Sequence, residues 1–312
     1  MKLTRYFIGL LILLLSVSCE KEIEVDIPGY EKKIVIEGSI ENGSPAMVIV
    51  SNSMPYFEPM DMQTLMNDVF IRDAEVFITS SRGEQEQLNY RFCEDSPVYL
   101  AYVGQQVIGE PGVSYTLTVR YNGKEYSATT SITQPVRLDS AYLAFLDEND
   151  TMPTSRILLT DNPSTKDYYM FRIKVHGKKL HDRLWVTSMP VAFDDATFNG
   201  QTVNYEILRA NPSTLFAATM SDEELQEYYR LTYRKGDTVY LKTSMLDYDG
   251  FQYWSAMTYP LAVGQNPFMS PPPIPCNIHG DNVIGVWCGY ASTIDTIYYP
   301  DDSVIRRKTF LK

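Results

Sequence analysis

The chain has 312 residues and a formal net charge of −12, with 39 acidic against 27 basic side chains. This balance argues against nucleic-acid binding, because affinity for nucleic acid rests largely on lysine and arginine neutralising phosphates. Hydrophobic residues make up 44% of the chain, enough to bury a core. The length exceeds what most single cores organise, which predicts two domains.

Residues 1–18 have the pattern of a signal peptide. Lys2 and Arg5 form a positive n-region, and residues 7–15 form a short apolar h-region. A spanning helix needs about 20 apolar residues, so this run is too short to remain as an anchor. Its removal takes away two basic residues and no acid, which lowers the formal charge from −12 to −14.

Cys19 follows small residues that resemble a lipobox, in which the cysteine sulfur receives a diacylglycerol group and becomes the mature N-terminus. Leu15 lies one position early and Ser16 replaces the usual leucine, so ordinary cleavage with an unmodified cysteine is the alternative. We predict lipidation at Cys19. A triacylated cysteine meets the requirement that stable anchoring takes more than one acyl chain.

Residues 19–29 are predicted to form an acidic tether. The run 20–26 is dense in charge and free of glycine, and it ends near Pro28. It also resembles the export signal that sends lipoproteins of the Bacteroidota to the outer face of the outer membrane. A solvated linker and an export signal explain this run equally well.

Residues 30–135 are predicted to form an Ig-like or transthyretin-like β-sandwich, because short alternating strands recur at close spacing. Asn42-Gly43 and Asn122-Gly123 indicate hairpins, since both residue types can take the positive φ of a primed turn. Pro135 closes the region, because proline cannot donate to a central ladder. The predicted strands include residues 34–40, 46–50, two within 69–79, 114–121 and 124–129.

Residues 136–312 are predicted to form a second β-rich domain with two short helices. Ser221 to Glu224 reads as a capping box. A second helix is predicted over residues 249–257, with Asp249 as its N-cap. The predicted strands include residues 168–175, 238–244 and 283–287.

Three cysteines remain after Cys19, and the cell envelope permits disulfides. Cys276 and Cys288 lie close together in the sequence, on either side of a turn-rich segment. This favours a disulfide between them and leaves Cys93 as a free thiol. The alternative is that all three are reduced and buried as small hydrophobes.

Four aromatic residues, Tyr253, Trp254, Tyr259 and Phe268, lie near prolines and a predicted loop. They are candidates for a surface that contacts a partner or ligand. Packing into the core is the alternative, and the residue pattern alone favours it.

The sequence lacks the common signatures of catalysis. Its three histidines form no H-E-x-x-H pair, and no G-x-S-x-G elbow, Walker A loop or G-x-G-x-x-G fingerprint is present. Asp194, Asp195, Asn199 and Gly200 carry oxygen atoms of the kind calcium prefers, but not at EF-hand spacing, which favours a polar loop. We therefore predict a non-enzymatic protein with no cofactor and no metal.

Taken together, the motifs resemble a family of uncharacterised outer-membrane lipoproteins of the Bacteroidota, a domain of unknown function usually encoded beside a TonB-dependent receptor. The resemblance covers nearly all of the mature chain. Cys276, His279 and Cys288 depart from it, since small residues or glycine are expected there. The matching motifs are Cys19, the hairpin over 33–50, Gly109-Glu110-Pro111-Gly112, Tyr115, Tyr168-Tyr169, Asn266-Pro267-Phe268, Pro271, Asn277-Ile278, Gly280, Ile284-Gly285-Val286-Trp287 and Gly289-Tyr290.

The resemblance implies a cell-surface protein, lipid-anchored in the outer membrane and facing the extracellular side. It implies a TonB-dependent outer-membrane receptor as partner. The protein would help this receptor to capture or admit a transported ligand whose identity the sequence does not give. A structural or adhesive envelope protein is the second hypothesis, since tandem strands and an acidic exterior suit it equally. A hydrolase with an unrecognised site is the third.

Overall fold

The structure, a computed structural model, describes residues 31–55, 62–93, 100–145, 153–176, 185–209, 233, 235–263 and 273–299, with only the backbone at 62, 209 and 259–263. Contacts divide the chain into two compact units, Met1–Lys32 and Lys33–Lys312. The signal peptide, Cys19, the tether and the capping-box helix at Ser221 lie outside the described residues. The boundary expected at residue 135 falls inside the second unit.

The described part of the chain is mainly β, as the alternating sequence pattern predicted. Its strands are β1 Ile34–Glu41, β2 Pro45–Asn52, β3 Glu75–Ser80, β4 Gln85–Phe92, β5 Leu100–Ile108, β6 Ser114–Tyr121, β7 Lys124–Ser131, β8 Ser140–Ala144, β9 Thr154–Thr160, β10 Tyr168–Val175, β11 Val186–Met189, β12 Phe193–Asp194, β13 Thr202–Arg209, β14 Thr238–Leu246 and β15 Val283–Tyr298.

Two helical segments accompany the described strands. Helix α1 covers only Met62–Thr64 and continues as a π-helical turn over Leu65–Val69. The sequence predicted two short strands within residues 69–79, but the turn ends at Val69 and the region contains the single strand β3. Helix α2 is longer and covers Tyr248–Val263. No helix in the described part of the chain is long and apolar enough to cross a membrane.

The described strands follow one continuous path of pairing in the order β7-β6-β3-β4-β5-β2-β1-β15-β14-β10-β11-β13-β9-β8, with β12 paired to β10 beside it. Strands β1 and β15 are parallel, whereas the other strand pairs of this path are antiparallel. The strands of the first predicted domain therefore continue directly into those of the second. The junction is the pairing of the first strand with the last.

The sheet folds over so that β6 and β7 pack against β15, which gives the sandwich. The Trp287 indole N–H donates to the backbone carbonyl of Tyr115 at 2.8 Å, and the Gly289 amide donates to the Thr130 hydroxyl at 2.7 Å. Trp287 is completely buried in the main core. Burying so large an aromatic side chain gives a strong hydrophobic contribution where the two layers meet.

Strand β15 separates two apolar clusters, because successive side chains of a strand point to opposite faces. Trp287 and Ala291 face the main core, whereas Val286, Cys288 and Tyr290 face a smaller cluster. Helix α2 covers this second face through Tyr253, with Trp254 and Met257 packed beside it. Beyond the helix, the same face of the sheet becomes polar.

Candidate functional site

The polar half of this face forms the candidate site, which we call the basic face and define by Arg172, Lys174, Trp185, Lys242 and Glu41. Strand register brings these residues together. Arg172 on β10 pairs with Lys242 on β14, which in turn pairs with Ile294 on β15. Their immediate neighbours along the strands, such as Phe171 and Leu241, point into the main core.

The guanidinium of Arg172 is held in place by two contacts. Its central carbon lies 4.6 Å from the centre of the buried Tyr290 ring, and its Nη2 donates to the Ser244 hydroxyl at 3.2 Å. Its Nε is buried and has no acceptor among the described residues. Guanidinium carries five N–H donors, so the described neighbours satisfy only part of this group.

Lys242 and Glu41 form an ion pair at 2.8 Å, with 10% and 20% of their side chains exposed. The Lys242 ammonium also lies 4.6 Å from the centre of the Trp185 ring, and the Lys174 ammonium lies 5.1 Å from it. Trp185 is therefore flanked by two cations. Such contacts are more favourable where the groups are partly desolvated.

The pKa shifts of Lys242 and Glu41 reflect burial and the neighbouring positive charges. Burial lowers the pKa of Lys242, and the neighbouring cations Arg172 and Lys174 lower it further, against the opposing effect of Glu41. Burial alone would raise the pKa of Glu41, but the charges of Arg172 and Lys242 outweigh it and hold that pKa below its usual value. Glu41 thus stays ionised near neutral pH.

The sequence pattern did not single out the residues of the basic face, although it predicted strands over residues 168–175 and 238–244. The missed signal is a pair of basic residues two positions apart, Arg172 and Lys174, within an otherwise apolar strand. Such a pair lies on one face of a sheet. The position of Arg172 opposite Lys242 depends on strand register, which the sequence does not reveal.

Of the four aromatic residues considered as a partner surface, the structure describes the side chains of Tyr253 and Trp254, and both pack in or beside the core cluster beneath α2, as the core-packing alternative expected. Tyr253 is 5% exposed and donates its hydroxyl to Glu37 at 2.8 Å, so it belongs to the core beneath α2. Trp254 is half-buried and donates its indole N–H to the Tyr290 hydroxyl at 2.9 Å. The Tyr259 side chain and Phe268 lie outside the described residues.

The predicted bridge between Cys276 and Cys288 is absent, and both are free thiols. Cys276 is exposed, and its sulfur lies 3.7 Å from the backbone oxygen of Ile278. Cys288 points into the smaller apolar cluster beneath α2, where burial raises its pKa well above the usual value. The two side chains therefore occupy different environments, which explains why closeness along the chain is not enough for a bridge.

The acidic loop is assembled from partners that the sequence did not connect. The carboxylates of Asp161, Asp167 and Asp195 lie within 4.8 Å of one another. Asp161 accepts hydrogen bonds from the Gly200 amide at 2.8 Å and the Tyr169 hydroxyl at 2.5 Å. Burial raises the pKa of Asp167, and the charges of Asp161 and Asp195 raise it further.

Hydrogen bonds from backbone amides to aspartate side chains hold this acidic loop in place. Asp195 accepts from the Asp167 amide at 2.9 Å, and Asp194 accepts from the nearby Ala196 amide at 3.3 Å. Of the oxygen-bearing residues that the sequence suggested, Asp195 lies with Asp161 and Asp167, whereas Asp194 bonds within its own loop.

A half-open cleft of about 360 Å³ lies beside the N-terminus of α2. His279 pairs with Ser127 through backbone hydrogen bonds of 2.7 and 3.0 Å, which fixes one wall. The cleft places a thiol, an imidazole and a carboxylate around one space, from Cys276, His279 and Asp249.

The fold and the basic face define a mainly β, sandwich-like protein with a cationic and aromatic surface on one sheet. Residues 20–295 match the family described as "Domain of unknown function (DUF4249)". The chain belongs to this family. No curated protein matches the sequence.

Proposed function

We propose that the protein is a surface-exposed outer-membrane lipoprotein of the Bacteroidota that acts as a non-catalytic substrate-capture partner of a TonB-dependent transporter. The signal-peptide pattern, Cys19 and the acidic run behind it support the location. The resemblance of the motifs to receptor-linked lipoproteins supports the partner.

The basic face is the observation that carries the capture role. Arg172 is positioned by stacking and a hydrogen bond, and Lys242 by its ion pair with Glu41, as a binding surface requires. Its carboxylate, Glu41, is held in an ion pair with a lowered pKa and is poorly suited to deliver a proton as a general acid. The arrangement favours holding a ligand over transforming one.

Co-purification tests the partnership. The tagged full-length protein is isolated from detergent-solubilised outer membranes of its own host, and we expect a TonB-dependent receptor to remain bound. A Cys19→Ala variant should lose fatty-acid labelling and its membrane fractionation. A protein that is consistently recovered as a lone monomer contradicts the receptor partnership, and unchanged membrane fractionation of the variant contradicts the anchor.

A structural or adhesive envelope role is the second candidate. Exposed apolar side chains on β15 favour it, since Ile294 is 55% and Tyr298 59% exposed. Gene deletion separates the two roles. Loss of nutrient uptake with an intact envelope supports capture, whereas impaired attachment or envelope integrity with normal uptake supports the structural role.

A further inference from the structure

We propose that the basic face binds an oxyanion, a carboxylate or phosphate group of a small molecule, through Arg172, Lys174 and Lys242. Trp185 and Ile294 supply apolar surface next to these cations. The inference rests on the proposed capture role and names the chemical class of the captured ligand.

Charge supports this assignment first. Arg172 and Lys242 stand directly opposite each other on neighbouring antiparallel strands, where like charges repel. Lys174 lies on the same face two residues from Arg172. Among the described residues, Glu41 is the carboxylate that pairs with this group. In the described part of the chain, three cations therefore face one anion, although the sequence as a whole is strongly acidic.

The incomplete hydrogen bonding of Arg172 is the second observation that supports an oxyanion site. The guanidinium is fixed over Tyr290 and against Ser244, yet the described residues accept from only one of its nitrogens. Unpaired polar groups of this kind are uncommon in folded proteins and call for an explanation. A planar fork of donors matches carboxylate and phosphate oxygens, so a bound oxyanion would use donors that the fold positions in advance.

The position of Lys242 is the third observation that supports an oxyanion site. Its ammonium is nearly buried and shared between Glu41 and the Trp185 ring. Interactions between charges are stronger in such a partly desolvated place than in open water. An anion beside Lys242 would relieve the repulsion among the three cations.

Calorimetric titration of the full-length protein in neutral detergent tests the proposal. The probes are inorganic phosphate and citrate at constant ionic strength. We expect saturable binding of at least one probe, and at least tenfold weaker binding in Arg172→Gln and in Lys174→Gln. Circular dichroism and thermal unfolding verify that each variant is folded, and Lys174→Gln serves alone if Arg172→Gln fails to fold.

Lys166→Gln is the matched control, because the Lys166 ammonium lies 5.6 Å from the Tyr168 ring and the substitution removes the same charge away from the basic face. It should leave the affinity unchanged. A loss of affinity in Lys166→Gln equal to that in Lys174→Gln overturns the proposal, because binding then depends only on overall charge.

A second arm distinguishes a free ligand from a lipid headgroup. Mixed micelles containing phosphatidylglycerol are compared with micelles containing phosphatidylcholine. If phosphatidylglycerol alone stabilises the protein, and does so through Arg172 and Lys174, a headgroup phosphate is the source. Failure of both probes and of phosphatidylglycerol to bind overturns the oxyanion site. Receptor co-purification would be unaffected by that failure, so the proposed function and this inference fail separately.

Discussion

Asp247 shows how one side chain can determine where an element begins. The sequence predicted Asp249 as the N-cap of the second helix. In the structure, the Asp247 carboxylate accepts from the Gly250 amide at 2.9 Å, and its carbonyl accepts from the Phe251 amide at 3.0 Å. A side-chain oxygen that bonds the amide three positions ahead defines the cap. The Thr130 hydroxyl donates to the other carboxylate oxygen.

Replacing Asp247 separates its capping role from its charge. Asp247→Ala should lower the free energy of unfolding by about 1 to 2 kcal/mol, because the Gly250 amide loses its acceptor. Asp247→Asn keeps an acceptor and should lower it by much less. Chemical denaturation of both variants measures the difference, and equal losses in the two variants would contradict capping by Asp247.

The pH dependence of the same variants provides a further readout. Burial raises the pKa of Asp247, although hydrogen bonds from Thr130 and Gly250 oppose the shift. The folded protein therefore binds this proton more tightly than the unfolded chain. Stability is lost as pH rises from the unfolded pKa through the folded one, and Asp247→Asn should remove that part of the profile.

Two hairpin turns show what can be predicted from residue types and what cannot. Asn122 and Gly123 both have positive φ, as expected for a primed turn. At the first turn only Gly43 has positive φ. The Asn42 side chain is instead engaged with the backbone of Ser292, 250 residues away, to which its amide donates at 3.2 Å. No local pattern reveals a partner so distant in sequence.

At the scale of elements, β15 departs most from its prediction. The sequence indicated a strand over residues 283–287, but the strand covers Val283–Tyr298. Residues 287–293 are mostly small or polar and include Gly289, so they lack the alternation of a half-exposed strand. Their burial on both faces comes from β7 and α2, and this tertiary packing maintains the strand where local preference does not.

The same reasoning applies to the candidate site. Strands β10 and β14 were predicted close to their observed bounds, because their apolar runs are clear. Their register was not predicted, and a shift of one residue would turn Lys242 towards the core. The residues of the basic face were thus present in predicted elements, whereas their convergence depended on pairings that local sequence does not encode.

Gly285 is the position where the β1–β15 pairing is most sensitive to substitution. Its φ is +131°, and a Cβ atom there would lie 1.9 Å from the Ile36 carbonyl oxygen. We expect Gly285→Ala to lower the free energy of unfolding by about 3 kcal/mol or more, through backbone overlap added to an unfavourable φ.

Gly83→Ala is the matched control. Gly83 also has positive φ, +89°, but nothing lies within 4 Å of its added Cβ. That variant should lose about 1 to 2 kcal/mol from φ alone. Denaturant melts compare the two, and a similar loss in both would show that close contact between β1 and β15 does not limit stability.

At the scale of the whole molecule, the parallel pairing of β1 with β15 joins strands from opposite parts of the sequence. Trp287 from β15 fills the core beside Tyr115 of β6. The strands of the first predicted domain therefore depend on a late part of the chain for a neighbour and for core volume. Unfolding experiments test whether residue 135 separates two independent domains.

We expect the mature protein to unfold in one cooperative transition, with the signals of aromatic side chains and of backbone amides changing together. A fragment covering residues 19–135 should show no cooperative unfolding, because it lacks β15 and Trp287. Calorimetry and circular dichroism measure both. Two separable transitions in the full protein, or a fragment that melts cooperatively, would support two independent domains.

The distant origin of the partner of β1 also affects biosynthesis. As the nascent chain emerges, Ile34, Val35 and Ile36 are available long before residues 283–298 exist to pair with them. An apolar strand edge without a neighbour is prone to associate with other chains. Newly made molecules should therefore pass through an aggregation-prone intermediate. They should require a holding chaperone until β15 is available to pair with β1.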